Sequence, residues 1–252
     1  MKLYLAITPE ELIMYEHCRL ERVLISYYGL QKKYSKIKDR LEKIDVFLDS
    51  GAFSAFNSSA NVSLSDYISF LKENKFKTYA SLDVIYNPEG TRKNFEIMKN
   101  EGLNPIPTFH FGTDIKELDY YTQFPYIALG GLVPYAMKRK KLQNWLDYCF
   151  EKLIKKVQNG LKVHAFGVQN VEILKRYPFY SADGTSWKEG PRWGRVNELK
   201  GAKVKEVNNA YIDSLRLSRD NIKLGSESVK VYQKLEKFLT DLWAKRGITF
   251  ND

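Results

Sequence analysis

Short apolar runs recur along this chain, and most are followed by a stretch whose apolar positions fall three and four apart. The runs predict strands over 3–7, 22–28, 46–49, 78–85, 105–110, 126–133, 162–168 and 179–183. The stretches between them carry helix signals. Thr8-Pro9-Glu10-Glu11 is a good helix start, Ser63 precedes an apolar-periodic segment, and Asn87-Pro88 opens a helix expected to run to Gly102. Residues 35–43 place Ile37, Leu41 and the adjacent Ile44 at helical spacing among lysines. A long amphipathic helix over 140–157 closes near Gly160, and a short one follows over 171–176. Two prolines make 105–110 the least regular of the strands.

Strands and helices in this alternation predict a (β/α)₈ barrel with parallel strands, with a doubly wound open sheet as the alternative. The strand count favours the barrel. After the eighth strand the pattern changes. Residues 184–208, rich in Gly, Trp, Arg and Lys, read as an excursion, and 220–247 read as a helix that closes the barrel. The whole span 1–252 is expected to form one domain.

Composition narrows the function classes. The 252 residues are 44% hydrophobic and 28% charged, and no run approaches the apolar length of a membrane span. The N-terminal apolar stretch is too short for a signal peptide. Cys18 and Cys149 are isolated, and with His17, His110 and His164 they offer no structural zinc spacing. A reducing, cytoplasmic setting is expected. The net charge of +10 favours a polyanionic partner.

Chemistry gathers at the predicted strand ends. In a parallel barrel these ends open on one mouth. Asp49, Asp83, His110, Gly130, Gly131, Gly167 and Asp183 all lie at or just past them. Three carboxylates brought together cost free energy unless a substrate, a cation or a proton offsets the repulsion. Paired carboxylates are what substitution at a glycosidic carbon uses, one attacking and one moving protons. Glycines there let backbone groups approach a planar ligand, and Phe53 and Phe166 are placed to cover its faces.

Four segments resemble, in order, motifs of the tRNA-guanine transglycosylases: Asp49-Ser50-Gly51-Ala52-Phe53, Ala128-Leu129-Gly130-Gly131-Leu132, His164-Ala165-Phe166-Gly167-Val168 and Tyr180-Ser181-Ala182-Asp183. Those barrel enzymes exchange a guanine in nucleic acid for a 7-deazaguanine base. The resemblance covers about residues 45–187. It implies Asp183 as the nucleophile on C1′ and Asp49 as the general acid/base. It implies Asp83 as a partner of the base edge, Gly130, Gly131 and Leu132 as backbone contacts, Phe53 and Phe166 as the base sandwich, and His110 as a looser match to a base-reading position.

The zinc site of three cysteines and a histidine that follows the nucleophile in the tRNA enzymes is absent here, and the chain is shorter. No zinc or other cofactor is expected. The chain looks closest to the small zinc-free DNA-guanine transglycosylases of phages and bacterial DNA-modification islands. That implies DNA and a free 7-deazaguanine base as partners, in the cytoplasm of a bacterium or a phage-infected cell. The alternatives are the same chemistry on tRNA, a barrel that binds nucleic acid without turnover, and a sugar hydrolase using Asp49 and Asp183. Lys188, Arg192, Trp193 and Arg195, directly after the proposed nucleophile, are expected to hold the nucleic acid by charge and stacking, the other reading being a loop pinned by buried Trp187 and Trp193. His164 is expected to be a satisfied interior histidine, His17 a surface helix residue, and the two cysteines inert.

Overall fold

A computed structural model describes residues 1–14, 18–136, 138–207 and 221–250. Eight strands form one sheet: β1 (Lys2–Ala6), β2 (Arg22–Ser26), β3 (Asp45–Asp49), β4 (Thr78–Tyr79), β5 (Thr108–His110), β6 (Tyr126–Gly130), β7 (Lys162–Ala165) and β8 (Ser181–Gly184). Their order is β4-β3-β2-β1-β8-β7-β6-β5, and every pair is parallel. The two ends of this order meet. Ala80 forms a parallel bridge with Ile106; Ser81 N donates to Ile106 O (3.0 Å) and Ile106 N donates to Tyr79 O (2.9 Å). The sheet is thereby closed as a (β/α)₈ barrel, as the hydrophobic pattern predicts.

Several strands are shorter than their apolar runs. Pro105 and Pro107 have no N–H to donate, so Pro107 only accepts, from Ala128 N (2.9 Å), and the β5 ladder starts at Thr108. Beyond Ser81 the fourth run leaves the sheet. Leu82 O accepts from the Asn94 side chain (3.0 Å) and Val84 N donates to Thr91 Oγ1 (2.8 Å), so the helix Pro88–Asn100 holds this segment in place of a neighbouring strand. Tyr27, the last but one residue of the second run, already belongs to a short helix, Tyr27–Leu30.

Alternation along the strands separates two cores. Tyr4, Leu24, Phe47, Ala80, Ile106 and Ala128, one from each of six successive strand segments, fill the barrel interior. Leu3, Leu5, Val23, Ile25, Leu48, Ile127, Leu129 and Val163 point outward to the helices. Those helices start where the sequence signals them: Ser63 caps Leu64–Glu73 through Asp66 N, and Asn87 caps Pro88–Asn100 through Gly90 N. Residues after β8 form a 3₁₀ turn, a short helix (Glu189–Arg192) and an antiparallel hairpin (Val196–Lys200 with Lys203–Val207), where only an excursion was expected. The final helix, Asn221–Lys245, packs on β1 and on that hairpin, and its Glu236 accepts from Leu3 N (2.7 Å). Among the described residues, no helix is long and apolar enough to cross a membrane.

Candidate active site

Asp49 ends β3 two residues after Phe47, so it faces the same interior, one layer nearer the carboxyl-end mouth. Gly51, at φ +78°, turns the chain so that its N–H donates to Asp49 Oδ2 (2.9 Å). A Cβ at Gly51 would lie 2.6 Å from Tyr28 Cβ, so both the dihedral and the space require glycine. Burial raises the Asp49 carboxyl to about 7; the charges of Asp83 and Asp183 add to the rise, and the backbone donors at Gly51 and Ser50 oppose it. The charges of Asp83 and Asp183 therefore reach Asp49 across the mouth, and Asp49 holds a proton near neutrality.

Asp83 lies on the segment held by the helix Pro88–Asn100. Its Oδ2 is 3.3 Å from His110 Nε2 at the end of β5. Burial pushes the His110 imidazole down, but the charge of Asp83 and its hydrogen bond outweigh this, leaving it above its ordinary value. Among the described residues, three buried polar atoms on this wall have no partner: Asp83 Oδ1, His110 Nδ1 and Thr108 Oγ1. Unpaired buried polar groups each cost about 1–3 kcal/mol, so a cluster of them is a surface awaiting a polar ligand edge. Gly130 completes the wall: a Cβ there would lie 2.5 Å from Thr108 Cγ2 and 3.3 Å from His110 Cδ2.

Asp183 is 5% exposed in β8. Both of its hydrogen bonds fall on Oδ1, from Gly167 N (2.8 Å) and His164 Nε2 (3.3 Å). The other nitrogen of His164 is 2.6 Å from Ser181 Oγ, which is 2.5 Å from the Tyr126 hydroxyl. His164 is thus an interior histidine with both nitrogens bonded, as expected, but one bond goes to the predicted nucleophile. Periodicity carried part of that signal, since alternation puts Ser181 and Asp183 on one face of β8; the register that sets His164 against Ser181 comes from the tertiary structure. Gln169 also escaped notice; it is buried beside Gly184, donates to Tyr4 O (3.2 Å) and leaves its Oε1 without a partner.

The remaining predicted residues divide. Phe166 packs 4.5 Å from the His164 ring and 5.6 Å from Phe47, on the Asp183 wall. Phe53 is 44% exposed on the helix Ala52–Asn57. Gly131 is exposed and Leu132 buries its side chain in the outer core, so only its backbone is free to meet a ligand.

The loop after β8 corrects one expectation: Lys188 is buried and gives Nζ to both oxygens of Glu11 (2.7 and 2.9 Å), since a charge taken from water needs a paired carboxylate. It holds the loop and presents no charge to a phosphate. Trp187 is buried too, with Nε1 donating to Ala6 O (3.3 Å). Trp193, by contrast, is 78% exposed. Exposed Arg192 lies 4.0 Å from Glu11, and exposed Arg195 is paired with Glu206 (2.7 Å). Of the two tryptophans expected to pin the loop, Trp187 is buried and Trp193 is not. Cys149 is buried in the helix Arg139–Gln158, and burial pushes its thiol up, away from reactivity. His17 lies outside the described residues. Among those residues no group of three or more His, Cys, Asp or Glu is arranged to hold a metal ion.

No protein-family model matches the chain. No curated protein matches it either. Among solved structures, the chain is similar to one from a cube-shaped, highly porous protein cage designed by fusing symmetric oligomeric domains. That match has a TM-score of 0.50 at 10% identity and covers 98% of this chain and 77% of that one. At such identity the likeness bears on the fold alone.

Proposed function

We propose that this protein is a base-exchange transglycosylase that replaces a guanine in DNA by a free 7-deazaguanine base. The observation that carries the reading is the mouth itself. Asp49 is poised near neutrality between two further carboxylates, beside a wall of unpaired buried polar atoms. The order of the four motifs adds to it.

In the first step an oxygen of Asp183 forms a bond to C1′ of the target nucleotide. The C1′–N9 bond breaks, its electron pair leaves with guanine, and protonated Asp49 supplies the departing base with a proton. In the second step the incoming base attacks C1′ through N9 and gives its N9 proton to Asp49. The ester C–O bond breaks and its pair returns to Asp183. A group with a pKa near 7 serves both directions. Asp83, His110 and Thr108 would meet the polar edge of the base, and Phe166 one of its faces. A stacked guanine is out of reach of such a mouth, so the substrate is single-stranded or flipped out, with exposed Trp193 and Arg192 beside it. The reading places the protein with DNA, in the cytoplasm of a bacterium or an infected cell.

The experiment is covalent trapping. The protein is incubated with single-stranded and duplex guanine DNA, and separately with tRNA, and resolved on a denaturing gel. An adduct with DNA that is absent in Asp183→Asn supports the reading. An adduct with tRNA alone moves the chemistry to RNA. Guanine release without uptake of a new base points to a hydrolase, and binding without an adduct to a non-catalytic barrel.

A further inference from the structure

The side chains leading to Asp183 admit one direction of hydrogen bonding. A carboxylate only accepts, so the proton between it and His164 is on Nε2. Burial holds the His164 imidazole below its ordinary value, against the pull of Asp183, so the ring is neutral and Nδ1 is an acceptor. Ser181, 2.6 Å from Nδ1, must then donate to it. The Ser181 oxygen in turn accepts from Tyr126, whose phenol burial pushes up and keeps protonated. The ring has no freedom to turn. Phe47 and Phe166 lie 4.5 Å from it, centroid to centroid, and Tyr4 closes a third side at 6.3 Å. With Gly167 N also on Oδ1, Oδ2 is the oxygen left for an incoming atom.

We propose that His164 is a positioning residue, locked by Ser181 and Tyr126 in its Nε2–H form, that turns Asp183 so that Oδ2 is the attacking oxygen. This rests on the reading of Asp183 as the nucleophile. It adds a role in the second step. When Oδ2 bonds to C1′, Oδ1 becomes an ester carbonyl, a weaker acceptor than a carboxylate oxygen. The two donors on Oδ1 therefore favour the return of the electron pair to Asp183 as the ester bond breaks. The line Tyr126–Ser181–His164–Asp183 runs from the floor of the barrel to its mouth, so the apolar interior orients the reacting group.

The test uses the full chain as wild type, His164→Phe, His164→Gln and Ser181→Ala. Nitrogen-15 spectra of histidine-labelled protein report the tautomer without reference to any substrate. The Nε2–H form is expected for His164 at neutral pH, with that preference weakened in Ser181→Ala. Adduct formation on single-stranded guanine DNA is expected to fall about 10–100-fold in His164→Phe, as for a misaligned reacting group. Most of the rate should return in His164→Gln, whose amide N–H reaches Asp183 while its oxygen accepts from Ser181. A purely space-filling role predicts no such rescue. Full-rate adduct formation by His164→Phe, a Gln variant as slow as Phe, or a wild-type ring in the Nδ1–H or charged form overturns the inference. If the wild type forms no adduct with any nucleic acid, the functional reading falls and takes this role with it. Because the tautomer is read separately, the two failures are told apart.

Discussion

The two walls of the barrel mouth are built in opposite ways. On the β7–β8 wall, Asp183 is embedded in a completed network: Oδ1 has two donors, His164 uses both nitrogens, and Ser181 is bonded on each side. On the β3–β5 wall, among the described residues, Asp83, His110 and Thr108 each leave a buried polar atom unpaired, and Asp49 carries an unresolved balance of charge near neutrality. The completed wall fixes a geometry in advance. The incomplete wall stores unfavourable desolvation that a ligand can relieve. Under the proposed exchange, a site that forms a covalent bond at one precise oxygen and accepts first one base and then another has use for both.

The largest effect separates the walls by chemistry. Asp183→Asn should abolish the covalent adduct, a loss of at least about 10³-fold, while leaving the circular dichroism spectrum unchanged. An adduct persisting in that variant would place the nucleophile elsewhere.

Next comes Asp49→Asn, which keeps an acceptor for Gly51 N. Exchange should drop about 10²–10³-fold through loss of the proton carrier. Its stability should change with pH in a set direction. The Asp49 carboxyl is raised from 3.8 to about 7 in the folded protein. Below about pH 4 both folded and unfolded states hold the proton, and Asp49 imposes no penalty. As pH rises from there to about 7, the unfolded state ionises first and stability is lost; above 7 the penalty is complete. Asp49→Asn should therefore be more stable than the wild type at pH 8, on the order of 4 kcal/mol, with little gain at pH 4. Urea denaturation at the two values reads the difference, and an equal gain at both would remove Asp49 as the group responsible.

A smaller effect concerns the approach to the mouth. Substituting Arg192 and Trp193 together by Ala should weaken binding of single-stranded DNA about tenfold and flatten its salt dependence. Fluorescence anisotropy at several salt concentrations checks this, and an unchanged affinity would take the loop out of the interface.

The smallest effect tests the unpaired wall. Thr108→Val keeps the shape against Gly130 and removes an orphaned hydroxyl. Without ligand the protein should be unchanged or up to about 1 kcal/mol more stable. Binding of a free 7-deazaguanine base, read by calorimetry, should weaken. A destabilised variant would mean that the hydroxyl already has a partner, and the contrast between the walls would be lost.

Periodicity alone marked the barrel and the three aspartates, because an apolar run ended by a charge is a local signal and a parallel barrel gathers strand ends by topology. It also marked the caps at Ser63 and Asn87. Where β4 leaves the sheet was not legible, since that depends on Asn94 and Thr91 reaching back from a helix. Nor was the fate of Lys188 and Trp187, one drawn into a buried pair with Glu11 and the other into the core, while Trp193 stays in solvent. Similar residues in one short loop diverge because burial is decided by what lies opposite. The same holds for His164. In sequence it is one polar residue in an apolar strand. Only strand register sets it between Ser181 and Asp183, because hydrogen bonds depend on distances of a few tenths of an ångström that the order of residues does not contain.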